Sequence, residues 1–173
     1  AIVSYRKRHF DQDAFRSAHG FDGRKIVLLM AGSRTHEVRD CLPIMVEVAR
    51  SLPEYQFVLA AAPNLKLDLY DDILKRCGGC DSLKVIQNCT YEVMELASAG
   101  IINSGTATLE AALFNLPPVV VYKVFGGRLT MALKPLFVRT KFVSLVNIIP
   151  RREVVKELLG HAFTVNSTIN ELL

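Results

Sequence analysis

A chain of 173 residues, half of them apolar and 22% charged, is long enough to bury a core and reads as globular throughout. No apolar run approaches the ~20 residues of a spanning helix, and the four cysteines, with one Cys-x-x-Cys at Cys77 to Cys80 and no second pair at metal spacing, suggest neither a disulfide framework nor a zinc site. The net charge of +4 is unevenly placed: 111–152 contains no carboxylate but holds Lys123, Arg128, Lys134, Arg139, Lys141, Arg151 and Arg152, so phosphate-bearing partners would be drawn to that region.

In chain order, residues 1–24 read as a lead-in or interdomain segment with a short helix around Asp13 to Arg16, stopped by Gly20. The chain starts at Ala1 without an initiator Met or a basic-then-apolar leader, which reads as a fragment or a processed chain. The domain proper is expected over 25–173. Lys25 to Ala31 is a continuous apolar run of strand length, followed by Gly32-Ser33-Arg34, a candidate phosphate loop in which the arginine can fork onto oxygens. Glu37 to Leu52 keeps helical spacing, with Pro43 tolerable only near a helix start.

Gln56 to Ala61 is the next predicted strand and Leu67 to Cys77 the next helix, where Asp68, Asp71 and Asp72 read as a solvated face rather than a metal site. Leu83 to Ile86 is a short strand, Gln87 to Thr90 a loop, and Tyr91 to Ala99 a helix. The apolar run Gly100 to Asn103 then turns into Ser104-Gly105-Thr106-Ala107-Thr108-Leu109-Glu110, a strand leading into a helix. The first turn of such a helix offers unpaired N–H groups, Gly105 allows close approach, and Ser104, Thr106 and Thr108 add hydroxyls. Glu110 lies too far along for a phosphate and suits a ribose diol. Pro117 to Tyr122 is predicted as a buried strand, Leu129 to Val138 as a basic apolar helix and Phe142 to Ile149 as a last strand; helices are expected at Arg152 to Leu159 and Asn166 to Leu173.

About six alternations of strand and helix predict an α/β fold: a Rossmann-like, mostly parallel sheet with helices on both faces and the two glycine turns on its carboxyl edge. Neither G-x-x-x-x-G-K nor G-x-G-x-x-G is present, which argues against a P-loop NTPase or an ordinary dinucleotide dehydrogenase. The basic region is rich in Leu, Val and Phe and shows no nucleic-acid-binding module.

Taken together, Gly32-Ser33-Arg34 with Glu37 and Leu42-Pro43, Ser104 to Glu110, Ser144-Leu145-Val146-Asn147 and Arg152 to Leu158 resemble the carboxyl-terminal half of lipid-A-disaccharide synthases. The resemblance implies the donor-binding domain of a GT-B glycosyltransferase whose amino-terminal acceptor domain, with the catalytic base, lies outside this chain. The implied reaction transfers diacylglucosamine from UDP-2,3-diacylglucosamine to lipid X, peripheral to the cytoplasmic face of the bacterial inner membrane. No cofactor or metal is implied, and a homodimer is allowed.

By the same resemblance Gly32, Ser33 and Arg34 would hold the diphosphate, Arg34 stabilising the leaving charge. Ser104, Gly105, Thr106 and Ala107 would face the phosphates from the other side, and Glu110 would take the ribose hydroxyls. The loop Ile86 to Thr90, Gln87 included, would lie near the uracil, and Asn147 stands where the family has a functional Asn. Two departures touch loop geometry: Ala31 and Val146 stand where the family usually has Pro. His36 is the local candidate for a base. A UDP-sugar epimerase of the same architecture and a non-catalytic nucleotide-binding module are the rival readings.

Overall fold

A computed structural model of the chain describes residues 5, 10–103, 105–123 and 142–173. Helix α1 (Gln12–Ala18) leads into strand β1 (Ile26–Met30), and then come α2 (Thr35–Ser51), β2 (Gln56–Ala61), α3 (Leu67–Arg76), β3 (Leu83–Gln87), α4 (Thr90–Leu96), β4 (Ala97–Ile102), α5 (Thr106–Leu113) and β5 (Pro118–Tyr122). After the segment 124–141 the chain forms α6 (Leu145–Ile148), β6 (Glu157–Leu159), a single 3-10 turn at Gly160–Ala162 and α7 (Val165–Leu172).

The six strands form one sheet in the order β3-β2-β1-β4-β5-β6, and every pairing is parallel. This is the Rossmann-like α/β architecture expected from the alternation. The chain winds outward from β1 to β3, then returns to the other side of β1 with β4, so the order reverses between β1 and β4. Side chains alternate between two cores, as a sheet covered on both faces requires. Val27, Leu29, Phe57, Leu59 and Ile101 pack with α2, α3 and α7 on one face, while Ile26, Leu28, Val58 and Ile102 pack with α4, α5 and Phe21 of the lead-in on the other.

Four expectations need correction. Helix α2 runs through Pro43 rather than starting near it, because its buried stripe of Val38, Cys41, Leu42, Met45, Val46 and Ala49 holds the helix against the sheet on both sides of the proline. Helix α4 ends at Leu96, and β4 starts at Ala97 rather than at Gly100. The predicted strand from Phe142 is instead α6: Val143, Val146 and Asn147 are buried, at helical rather than alternating spacing. The predicted helix Arg152 to Leu159 is irregular chain closing on β6, whose Leu158 pairs with Val121 at the sheet edge. The basic helix predicted over Leu129 to Val138 lies outside the described residues.

Candidate nucleotide-binding site

In a parallel sheet of this kind, ligands bind at the carboxyl ends of the strands where the order reverses. Both glycine turns fall there, Gly32 after β1 and Gly105 after β4, and Asn103 ties the two together. Its backbone N–H donates to Met30 O at 2.8 Å, and its buried side-chain amide donates to Ala31 O at 3.0 Å and to Cys41 Sγ at 3.3 Å. Cys41 is sealed beneath the turn, and burial pushes its thiol up to about 12.

The β1 turn is closed on itself. Gly32 adopts φ +119°, and a Cβ there would stand 2.6 Å from both Cβ and Oε2 of Glu37, so the turn demands glycine. Glu37, in the first turn of α2, reaches back: its Oε2 accepts from Ser33 N–H at 2.9 Å and Arg34 N–H at 3.1 Å, and its Oε1 accepts from the Arg34 guanidinium at 2.9 Å. A carboxylate of this chain thus occupies the amide cradle expected to take a phosphate. Asn64 braces the turn from the β2 side by donating to Ser33 O at 2.9 Å.

The β4 turn is arranged differently. Gly105 has φ −73°, and a Cβ there would meet nothing nearer than the Tyr122 hydroxyl at 3.6 Å, so nothing in the described residues requires glycine. The Thr108 hydroxyl is buried and donates to Gly105 O at 2.6 Å, which removes it from the expected ligand donors; it closes the first turn of α5 instead. Thr106 is exposed and Ala107 buried, while Ser104 lies outside the described residues. Glu110 Oε1 accepts from the Tyr91 hydroxyl at 2.7 Å.

Between the turns opens a cavity of about 530 Å³, within the range of small-molecule sites. Gly32 and Ser33 line it from one side and Asn103 and Glu110 from another; Ala60 to Asn64, Asn88 and Thr90 to Glu92 complete the wall with Tyr5 and Met30. Arg34 follows the lining residue Ser33 but does not line the cavity itself, its side chain being 65% exposed, and Gly105, Thr106 and Ala107 do not line it either. The 86–90 loop reaches the cavity through Asn88, at φ 64°, and Thr90 rather than through Gln87. The Gln87 amide is spent on Ala62 O and Leu65 O, both at 3.0 Å, and holds the β2 loop in place. His36 is exposed at the start of α2.

Asn147 is also committed within the chain. It is fully buried, its amide donating to Val155 O and Glu157 Oε1, both at 2.8 Å, and its Oδ1 accepting from Val154 N–H at 2.7 Å and Val155 N–H at 3.0 Å. Glu157 further accepts from the backbone N–H groups of Val143 and Ser144 and from the Ser144 hydroxyl. The Ser144 to Asn147 motif therefore shapes the backbone beside β6, and both polar atoms of the Asn147 amide are engaged within the chain. Tyr91, Asn103 and Asn64 are the site residues that sequence reasoning missed. Only position could have flagged them: Tyr91 opens a helix that follows a strand, and Asn103 is the single polar residue ending an apolar run.

A family model for lipid-A-disaccharide synthetase matches residues 4–173. The chain belongs to this family. The lipid-A-disaccharide synthase of Coxiella burnetii is 36% identical over 153 residues, which cover 86% of this chain and 39% of that protein. The corresponding synthase of Sulfurihydrogenibium is 35% identical over 175 residues, covering 91% of this chain and 44% of that protein. This lipid-A-disaccharide synthase family chain therefore spans about two fifths of the length of these curated relatives.

Two solved structures share the fold, each at 16% identity and a TM-score of 0.59. UDP-GlcNAc 2-epimerase from Neisseria meningitidis, bound to UDP-GlcNAc, matches over 92% of this chain and 38% of its own. WaaG, a glycosyltransferase involved in lipopolysaccharide biosynthesis, matches over 96% and 42%. Among the described residues no helix is long and apolar enough to cross a membrane.

Proposed function

We propose that this chain is the donor-binding part of a glycosyltransferase that moves diacylglucosamine from UDP-2,3-diacylglucosamine to lipid X, releasing UDP. The observation that carries this reading is the cavity between the two glycine turns at the sheet's reversal point, with Ser33 on one wall and Glu110 on another. Family membership favours glycosyl transfer over epimerisation, and the likeness to the epimerase, at 16% identity, speaks to fold alone.

In this reading the nucleoside lies in the cavity with its ribose hydroxyls on Glu110 and its base toward Asn88 and Thr90. The diphosphate lies toward the rim, where Arg34 leaves Glu37 for the phosphate oxygens and the first turn of α5 adds N–H groups. Departure of UDP builds negative charge on the diphosphate, and an arginine with a helix amino terminus stabilises it electrostatically. Asn147 is a positioning residue, holding the 154–155 backbone. The acceptor site and the general base lie on residues outside this chain, which is why the chain alone should bind UDP and transfer no sugar.

Calorimetry with UDP and an assay of UDP release with the acylated substrates test both halves of the claim. No UDP binding at millimolar concentration would remove the site, and turnover by the chain alone would overturn the division of labour. The basic, apolar segment 123–142, most of it outside the described residues, is proposed to meet an anionic membrane surface. Vesicle binding should rise with anionic lipid, fall with salt and drop when Arg128, Lys134 and Arg139 are changed together to Gln; equal binding to neutral and anionic vesicles would exclude it.

A further inference from the structure

Resting on the reading of Glu110 as the ribose acceptor, we infer that Tyr91 positions that carboxylate and thereby sets the preference for a ribonucleotide over its 2′-deoxy counterpart. Tyr91 is in the first turn of α4 and Glu110 in the second turn of α5, and both line the cavity. The hydroxyl donates to Glu110 Oε1 at 2.7 Å, while Oε2 has no hydrogen bond among the described residues.

A carboxylate on a two-carbon stem must lose rotational freedom before it can accept two hydrogen bonds from a vicinal diol, whose hydroxyls point in fixed directions. An anchored oxygen removes that cost in advance. The anchor is itself fixed: the Tyr91 ring stacks on Phe114 at 5.7 Å and 24°, and Tyr5 packs against it at 5.5 Å. The hydrogen bond to Glu110 pushes the Tyr91 hydroxyl up to about 12, so at neutral pH it keeps its proton and donates. Anchoring leaves Oε2 and the second lone pair of Oε1 for the two ribose hydroxyls. A ligand lacking the 2′-hydroxyl fills only one of these positions, and the discrimination depends on the carboxylate being held.

The test compares UDP with 2′-deoxy-UDP by calorimetry on the 173-residue chain, for wild type, Y91F, E110A and the double variant. The wild type should prefer UDP by about tenfold, as expected for one hydrogen bond to a charged acceptor. Y91F, which keeps the ring and its stacking, should reduce the preference to about threefold, losing UDP affinity while 2′-deoxy-UDP changes less than about twofold. E110A should show no preference, and adding Y91F to it should change nothing more, because the tyrosine acts through the glutamate.

A Y91F chain that keeps the wild-type preference, or weakens both ligands equally, overturns the Tyr91 inference alone; so does a further loss in the E110A background, which would mean a direct contact with ligand. A wild type without preference overturns the ribose assignment of Glu110 and the inference with it. Should Y91F not fold, F114L, which keeps the hydroxyl but frees the ring, should lower the same preference; a retained preference there counts against the inference.

Discussion

The two turns at the sheet's reversal point carry the same parts in opposite arrangements. Each has a glycine after a strand, hydroxyl residues, and a glutamate five positions after the glycine, from Gly32 to Glu37 and from Gly105 to Glu110. Helix α2 starts at Thr35, so Glu37 is in its first turn and can fold back onto the N–H groups of Ser33 and Arg34. Helix α5 starts at Thr106, so Glu110 is more than a turn along and meets Tyr91 at the cavity instead. A shift of two residues in where the helix begins turns one carboxylate into a plug for its own turn and the other into a wall of the site. The glycines differ accordingly: Gly32 is required by the fold, and Gly105 has room for a side chain.

The widest separation between the turns should come from their glycines. Gly32→Ala must relieve both a positive φ and a 2.6 Å contact, and should cost about 3 kcal/mol in denaturant unfolding. Gly105→Ala should unfold within about 0.5 kcal/mol of wild type yet weaken UDP, because its methyl group would stand at the mouth of α5. If both alanines destabilise alike, the contrast is wrong.

The charged residues come next. Arg34→Ala should weaken UDP by about 1.5–3 kcal/mol and uridine hardly at all, whereas Glu110→Ala should weaken both equally. Calorimetry with the two ligands separates the outcomes, and an Arg34→Ala chain losing uridine as strongly as UDP would break the assignment of Arg34 to the diphosphate. Glu37→Gln trades charge-assisted acceptance for a neutral amide across the β1 turn, and a loss of about 1 kcal/mol is expected in the same unfolding assay. The Tyr91–Glu110 contact should be unaffected, leaving uridine affinity unchanged.

The smallest effect concerns the thiol beneath the β1 turn. Cys41 is held near 12 in the folded chain against an ordinary 9.0. A raised folded value means that the unfolded chain gives up this proton first, so the contribution to stability is complete below pH 9 and is lost as pH rises from 9 toward 12. Cys41→Ala should flatten that part of the stability profile measured by thermal melting; an unchanged slope would show that the thiol is not sealed.

Local chemistry made much of this legible. Gln56 to Ala61 is readable as a strand because a parallel strand covered on both faces is a nearly continuous apolar run, here Phe57 to Ala61, and all six of its residues, Gln56 included, are buried. Glycine followed by hydroxyl residues at the end of such a run marked both turns, since strand termini of this fold share one edge. The pattern was misleading where a few residues answer to distant partners. Phe142 to Ile149 has strand composition, but Glu157 accepts from Val143, Ser144 and Asn147 and draws the segment into a helical turn.

What the sequence determined by itself was therefore the alternation of elements, the parallel sheet and the two turns on one edge, because these follow from burial and backbone geometry within a few residues. Only the tertiary structure decided what each turn's side chains do: that Glu37 fills the amide cradle, that Gln87, Thr108 and Asn147 spend their polar groups internally, and that Tyr91 reaches Glu110. A polar side chain makes few hydrogen bonds, and its partner is chosen by distance in space; with Tyr91 and Glu110 separated by 19 positions along the chain, only the packing of α4 beside α5 brings them to 2.7 Å.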